Sequence, residues 1–200
     1  MAGKMGAVPI IEIPDDPRSP KQRMLAGDPY IHDDPELVAD WLRCALLVRE
    51  YNMSSPAEPE RRAELLRTLL GSVGAGTVIR SPLHCDYGYQ TTIGARSFAN
   101  WNLTLLDVGR ITIGDDVQLG PNVQLLTATH PVQPGPRRDK WEAAEPITIG
   151  DNVWLGGGVI VLPGVTIGPD TVVGAGAVVT KDLPAGVVAV GNPARIVREL

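Results

Sequence analysis

From Ile149 onward an aliphatic residue recurs at every sixth position: Ile149, Leu155, Val161, Ile167, Val173 and Val179. Four residues after the first five of these stand Val153, Val159, Val165, Thr171 and Ala177, all small or β-branched. Gly150, Gly156, Gly168 and Gly174 directly follow ladder residues. An earlier stretch keeps the same beat, with Ile93, Ala99 and Leu105 in phase and then, after a two-residue slip, Ile113, Leu119 and Leu125. Their companions are Ser97, Leu103, Val117, Val123 and Thr129. A period of six fits neither a lone helix nor a simple strand, which repeat at about 3.6 and about 2. It fits a parallel β-helix, in which each short strand is a flat face of a prism and each corner is a tight turn. Three such faces make a coil of about 18 residues, and coils stack at about 4.8 Å.

The chain has 200 residues with 22 Gly and 18 Pro, so one residue in five is Gly or Pro. Without a pattern, such content suggests low complexity. The six-residue beat supplies the pattern, and the 44% hydrophobic fraction is enough to build a core. A narrow prism has little room for aromatics, which suits the single Phe. The formal charge of −5 lacks the basic footprint of a nucleic-acid-binding protein. No stretch is long and apolar enough to span a bilayer. Residues 1–20 lack an apolar signal core, so a cytoplasmic location is expected. Cys44 and Cys85 form neither a disulfide framework nor a zinc spacing and are expected to be free buried thiols.

Residues 1–20 are rich in Pro and charge and are expected to form a poorly ordered tail. Residues 21–71 read as an N-terminal helical segment. Asp34-Pro35-Glu36 opens a helix with Asp34 at the N-cap. Val38, Trp41, Leu42, Ala45 and Val48 follow at helical spacing, with Arg43, Arg49 and Glu50 on a wetter face. After a turn over Asn52–Ser55 a second helix starts, with either Pro56 or Pro59 in its first turn. Leu65, Leu66, Leu69 and Leu70 supply its apolar stripe, and Gly71 is a stop signal. Residues 72–200 form the β-helix and its C-terminal tail. Residues 130–146 carry no ladder and read as an extended loop thrown out of the prism, and long loops in compact domains are usually functional.

The hexads, Asn100-Trp101-Asn102, Thr129-His130-Pro131 and the run from Pro146 to Trp154 resemble the hexapeptide-repeat acetyltransferases. Within these the likeness is to the maltose/galactoside/nodulation O-acetyltransferase group, whose leader Arg23-Met24-Leu25-Ala26-Gly27 and Asp34-Pro35-Glu36-Leu37 resemble. The resemblance covers about residues 22–200. It implies a mainly β fold, a left-handed parallel β-helix with a small N-terminal helical hairpin, assembled as a homotrimer with active sites between subunits. The general rule for parallel crossovers favours the right hand, so the left hand rests on the resemblance. The implied reaction carries acetyl from acetyl-CoA, as co-substrate, to a hydroxyl of a small sugar, with no metal, nucleic acid or membrane involved.

A hydroxyl is a poor nucleophile and needs a base, and His is the natural choice because its ordinary pKa lies near 6.5. His130 matches the family's catalytic His, whereas His32 and His84 do not. Glu142 matches a Glu of maltose-type members and is a candidate to orient that base. The tetrahedral oxyanion needs a backbone N–H, which the resemblance places at Gly157. Asn100, Asp86 and Phe98 match positions around the acceptor, and polar groups there suit sugar hydroxyls. Trp154, Gly157 and Ala175 match positions along the pantetheine arm of CoA. Thr180, Lys181 and Arg195 match further CoA contacts, with Arg198 a further candidate, and cations here suit phosphates. Galactoside-type members place an acceptor-binding Asp in the leader, where this chain has His32 followed by Asp33 and Asp34.

A carbonic anhydrase shares such a prism but needs three His ligands per zinc, and only His130 lies in the core of the repeats. Transfer to an amino group or an antibiotic hydroxyl reuses the same loop His. A catalytically silent trimeric scaffold would have no need of His130, Asn100 and Lys181 together.

Overall fold

The structure, a computed structural model, describes residues 16–200. Its short strands wind through three faces in turn. Face 1 stacks Ser72–Val73, Thr91–Ile93, Ile111–Ile113, Ile147–Ile149 and Thr166–Ile167. Face 2 stacks Val78–Ile79, Phe98–Ala99, Gln118–Leu119, Trp154–Leu155, Val172–Val173, Val187–Val190 and Arg195–Glu199. Face 3 stacks Leu83–Cys85, Leu103–Leu106, Gln124–Leu126, Ile160–Val161 and Val178–Val179. Neighbours are parallel, so Ile93, Ile113, Ile149 and Ile167 form one column. Arg195–Glu199 instead pairs antiparallel with Val187–Val190 and closes face 2. This is the parallel β-helix expected from the period, with about six coils.

Ile149, Leu155, Val161, Ile167, Val173 and Val179 are all buried, as are Val153, Val159, Val165, Thr171 and Ala177. The earlier ladder is buried too, except at Thr129, which is only half-buried. Thr127 is the last inward residue there: its Oγ1 donates to the Leu106 carbonyl and accepts from the Gly109 N–H. The chain leaves the prism immediately after it.

Two corners are regular. Between faces 1 and 2, Gly76, Arg96, Asp116, Asn152, Asp170 and Gly186 all have φ between 55° and 75°. Between faces 2 and 3, Asn102, Asn122, Gly158 and Gly176 have φ of 60–70°. Asn and Asp tolerate this left-handed region better than other L-residues. Stacked copies also bond to one another: Asn102 Nδ2 donates to Asn122 Oδ1 at 3.0 Å, and Asn152 Nδ2 to Asp170 Oδ1 at 2.8 Å. The glycines that directly follow the ladder serve a different need. Gly150 has no positive φ, but a Cβ on it would stand 2.6 Å from the Pro169 nitrogen of the next coil. Close approach of coils, rather than turning, fixes glycine there.

The third corner, between faces 3 and 1, is irregular. Eight positions separate Cys85 from Ile93 and Leu105 from Ile113, against six from Val161 to Ile167. The two-residue slip of the sequence is therefore a widened corner. One coil later the same corner expels a hairpin, whose outgoing strand Ala128–Thr129 pairs antiparallel with a return strand, Trp141–Ala144. A short helix, Pro134–Arg138, sits at its tip. The expected loop is thus an ordered hairpin that starts slightly earlier than the sequence suggested.

Helix α1 (Pro20–Ala26) opens the expected helical segment one residue inside the expected tail, and the sequence did not single it out as a helix of its own; at seven residues it is too short to show a period. Ser19 and Gln22 form a reciprocal capping box, and Gly27 ends it at φ 80°. Residues 1–15 of the expected tail lie outside the described residues. Helix α2 (Pro35–Met53) is capped by Asp34, which accepts from the Glu36 and Leu37 N–H groups. Its buried stripe is Leu37, Cys44 and Tyr51, whereas Val38, Trp41, Leu42 and Leu46 are exposed. The inward face is therefore not the expected stripe of Val38, Trp41, Leu42, Ala45 and Val48, because α2 carries apolar residues on several sides. Helix α3 (Pro59–Leu69) settles the open choice of proline in favour of Pro59, and buries Leu65, Leu66 and Leu69. Gly71 acts by close approach rather than as a left-handed cap, since a Cβ on it would stand 2.6 Å from the Tyr89 carbonyl oxygen. The α2–α3 hairpin covers the open end of the first coil. The Asn52 side chain bonds both the N–H and the C=O of Leu83, satisfying an edge that has no further strand.

Gly150→Ala is expected to lower stability by about 2 kcal/mol, because the obstacle is backbone that cannot swing aside. Asn152→Gly, at a left-handed corner, is expected to stay within about 0.5 kcal/mol of wild type. Urea unfolding midpoints of the two variants check the distinction.

Candidate active site

The widened corner forms a cleft of about 390 Å³ beside α2. Its apolar floor is Tyr30, Leu37, Tyr87 and Val108, which belong to a small core of their own beneath the hairpin. Val38 and Trp41 wall one side, so their exposure on α2 is in part exposure to the cleft. The polar groups that line it are Asp86, Glu142 and His32.

Asp107 underlies this arrangement. It occupies the extra length of the corner and is fully buried. Its carboxylate accepts from the Asp86 and Tyr87 N–H groups at 3.1 and 3.0 Å and from the Thr91 hydroxyl at 3.0 Å. Burial still drives its pKa upward, against those hydrogen bonds. Asp86, held by this anchor, is raised to about 6, first by burial and then by Asp107 and Glu142. Two crowded carboxylates over a third leave the cleft short of positive charge.

Glu142 lies on the return strand of the hairpin, where it pairs with Tyr30 of the leader strand Tyr30–Ile31. Its carboxylate sits 3.0 Å from His32 Nδ1. Within one chain the partner of Glu142 is therefore His32. His130 follows the outgoing strand, is exposed, and makes no polar contact with the described residues of its own chain.

The other candidate residues lie elsewhere. Asn100 and Trp101 stand on the corner between faces 2 and 3, and Gly157 and Ala175 stack on the same corner in later coils. Nothing among the described residues accepts a hydrogen bond from the Gly157 N–H. Asn100 Oδ1 accepts from the Trp101 N–H at 2.9 Å and lies 3.5 Å from Arg80, whose guanidinium covers the Phe98 and Trp101 rings at 5.3 and 4.7 Å. Phe98 thus belongs to face 2 and does not line the cleft that holds Asp86. Trp154 is exposed on face 2, and Arg195 and Arg198 lie on its closing strand. Thr180 and Lys181 are exposed just beyond face 3, at the same irregular corner as Asp86. The candidates thus lie either at the irregular corner or, on the other side of face 3, along the face 2–3 corner and face 2 itself.

Sequence reasoning missed Asp107, Tyr30 and Tyr87. The slip between Leu105 and Ile113 was the available signal, since Asp107 falls inside it. Among the described residues no group of three or more His, Cys, Asp or Glu side chains is placed to hold a metal ion.

Residues 23–74 match the family model "Maltose acetyltransferase hexapeptide capping motif", and residues 146–181 match "Bacterial transferase hexapeptide (six repeats)". Nodulation protein L of Rhizobium meliloti (strain 1021) is 48% identical over 90% of this chain and 98% of its own length. The crystal structure of a maltose O-acetyltransferase from Clostridium difficile 630 superposes with a TM-score of 0.91 at 45% identity, over 92% of this chain and 99% of that one. A galactoside acetyltransferase in complex with coenzyme A superposes with a TM-score of 0.87 at 41% identity, over 91% of each chain.

A carboxyl whose pKa is raised on folding holds its proton more tightly in the folded state. For Asp86 that stabilising contribution is complete below its ordinary 3.8 and is lost as pH rises through about 6. Asp86→Asn has no such loss. Its melting temperature minus that of wild type is expected to increase between about pH 4 and about pH 7. A difference that stays flat across that range would contradict the burial of the Asp86 charge.

Proposed function

The chain belongs to the maltose/galactoside O-acetyltransferase family of hexapeptide-repeat acyltransferases, and from that membership we propose that it transfers acetyl from acetyl-CoA to a hydroxyl of a small sugar. The observation that carries the acceptor side is the cleft at the widened corner. Carboxylates at Asp86 and Glu142 suit hydroxyl groups, and the Trp41 and Tyr87 rings suit the apolar face of a sugar ring. The hairpin whose outgoing strand leads into His130 rises beside it.

In this reading the His130 imidazole takes the acceptor hydroxyl proton as its oxygen attacks the acetyl carbonyl. The carbonyl becomes a tetrahedral oxyanion, stabilised by a backbone N–H from Gly157. Collapse breaks the C–S bond, and the proton held by His130 passes to the departing sulfur, so that CoA leaves as its thiol. Asn100 contacts the acceptor near the reacting oxygen. Trp154 and Ala175 lie along the pantetheine arm, and Thr180, Lys181, Arg195 and Arg198 meet the phosphate end of CoA.

The division of these residues between two corners supports a homotrimer with the site between copies. Asp86, His130 and Glu142 come from one chain, and Asn100, Trp154 and Gly157 come from its neighbour. The exposed Trp101, Trp154 and Val78 around face 2, and Leu42 and Leu46 on α2, supply apolar surface for such contacts. Among the described residues no helix is long and apolar enough to cross a membrane, and the reading places the enzyme in the cytoplasm.

His130→Ala is expected to lower kcat by about 10²–10⁴-fold in a CoA-release assay with glucose, maltose and galactosides, while acetyl-CoA binding by calorimetry is retained. Near wild-type turnover in that variant would remove His130 as the base. Sedimentation should show a trimer, and a stable monomer with full activity would rule out a site between subunits.

A further inference from the structure

We propose that His32 is a positioning residue, through which the N-terminal leader grips Glu142 and holds the hairpin that presents His130. The hairpin has left the prism and has no ladder of its own to fix it. Its outgoing strand pairs with the return strand through Ala128–Ala144 and Thr129–Ala143. The free edge of the return strand is taken by the leader, so the order is leader, return strand, outgoing strand. That leader strand is two residues long, a short hold for a hairpin. The His32–Glu142 contact at 3.0 Å extends the hold by one residue, to a carboxylate that is only 12% exposed.

The path from there to the base is short. Glu142 is followed by Ala143, whose carbonyl accepts from the Thr129 hydroxyl at 3.2 Å, and Thr129 is followed by His130. On the other side of Glu142 the Trp141 ring lies under the Arg23 guanidinium at 5.8 Å, a second tie from α1 and the leader to the same strand. The residue type at 32 also follows from the charges around it. Asp86 and Glu142 already crowd the cleft above the buried Asp107. A carboxylate at 32 would add repulsion, whereas a nitrogen partner answers Glu142. Asp34, two residues on, is committed to capping α2.

The base role of His130 rests on the acetyl-transfer reading; the grip on the hairpin does not. The primary test is therefore hydrogen–deuterium exchange on the full chain. His32→Ala should raise exchange of protected amides within residues 128–145 by about threefold to fivefold, the effect of losing one half-exposed polar contact. Amides of the coils around Ile149–Ile167 should not change. His32→Asn, whose side-chain N–H takes roughly the place of Nδ1, should restore protection. Unchanged exchange in His32→Ala, or an equal rise throughout the coils, overturns the proposal.

The kinetic arm uses the same variants with the sugar panel. The acceptor kcat/KM should fall in His32→Ala and the KM for acetyl-CoA should stay constant. Combination with Glu142→Gln should be non-additive, and additive losses count against the coupling. A wild type that acetylates no sugar, together with the expected exchange pattern, rejects the sugar-acceptor reading and leaves the grip in place.

Discussion

The spacing between coils governs this molecule. Backbone hydrogen bonds hold each coil about 4.8 Å from the next, so every residue must tolerate the residue directly above and below it. That single condition sorts the sequence into columns. Inside the prism it selects aliphatic side chains that pack on their own kind, as in Ile93, Ile113, Ile149 and Ile167. Where one coil's backbone passes over another it excludes even a Cβ, as at Gly150 and Gly156. At two corners it collects residues that accept a left-handed backbone and bond to their neighbours in the stack, such as Asn152 over Asp170.

The cleft opens where the columns are broken. The third corner carries two extra residues in two successive coils and then a whole hairpin. Extra length lets Asp107 turn inward and be satisfied by backbone and Thr91, and it places Asp86 at the edge of an open cleft. The prism beneath is unaffected, since Thr127 closes the core under the departing hairpin. A rigid scaffold and an irregular corner thus share one chain, and the first keeps the second from disturbing the fold.

The periodic part was legible because burial in a prism repeats along the chain: Ile149 to Val179 needed only counting. The helices were less so. Asp34 announced α2 through its cap, but Val38, Trp41 and Leu42 looked inward and instead face the cleft or solvent. Seven residues in α1 were too few for any period, although Ser19 and Gln22 spell its capping box. For the site, family likeness pointed to Asp86, Glu142 and His130, but the contact of Glu142 with His32 joins positions far apart in sequence. No local spacing encodes such a contact. Likewise Asn100 and Asp86 both match positions around the acceptor. Their separation by face 3 follows only once each residue is assigned to a corner.

The leader strand that reaches the return strand has a consequence for how the chain acquires its shape. Within the prism each coil meets the next after 16–20 residues, or 36 where the hairpin intervenes, as in Val172 with Val188 or Thr92 with Thr112. Such contacts allow folding to spread from one coil to its neighbour. Tyr30 and Glu142 are 112 residues apart. Closing that distance costs more chain entropy than any coil step, and it becomes favourable only when the prism between them already exists. The cleft is therefore completed late, and a chain halted before that step would have most of its core and no cleft at the third corner.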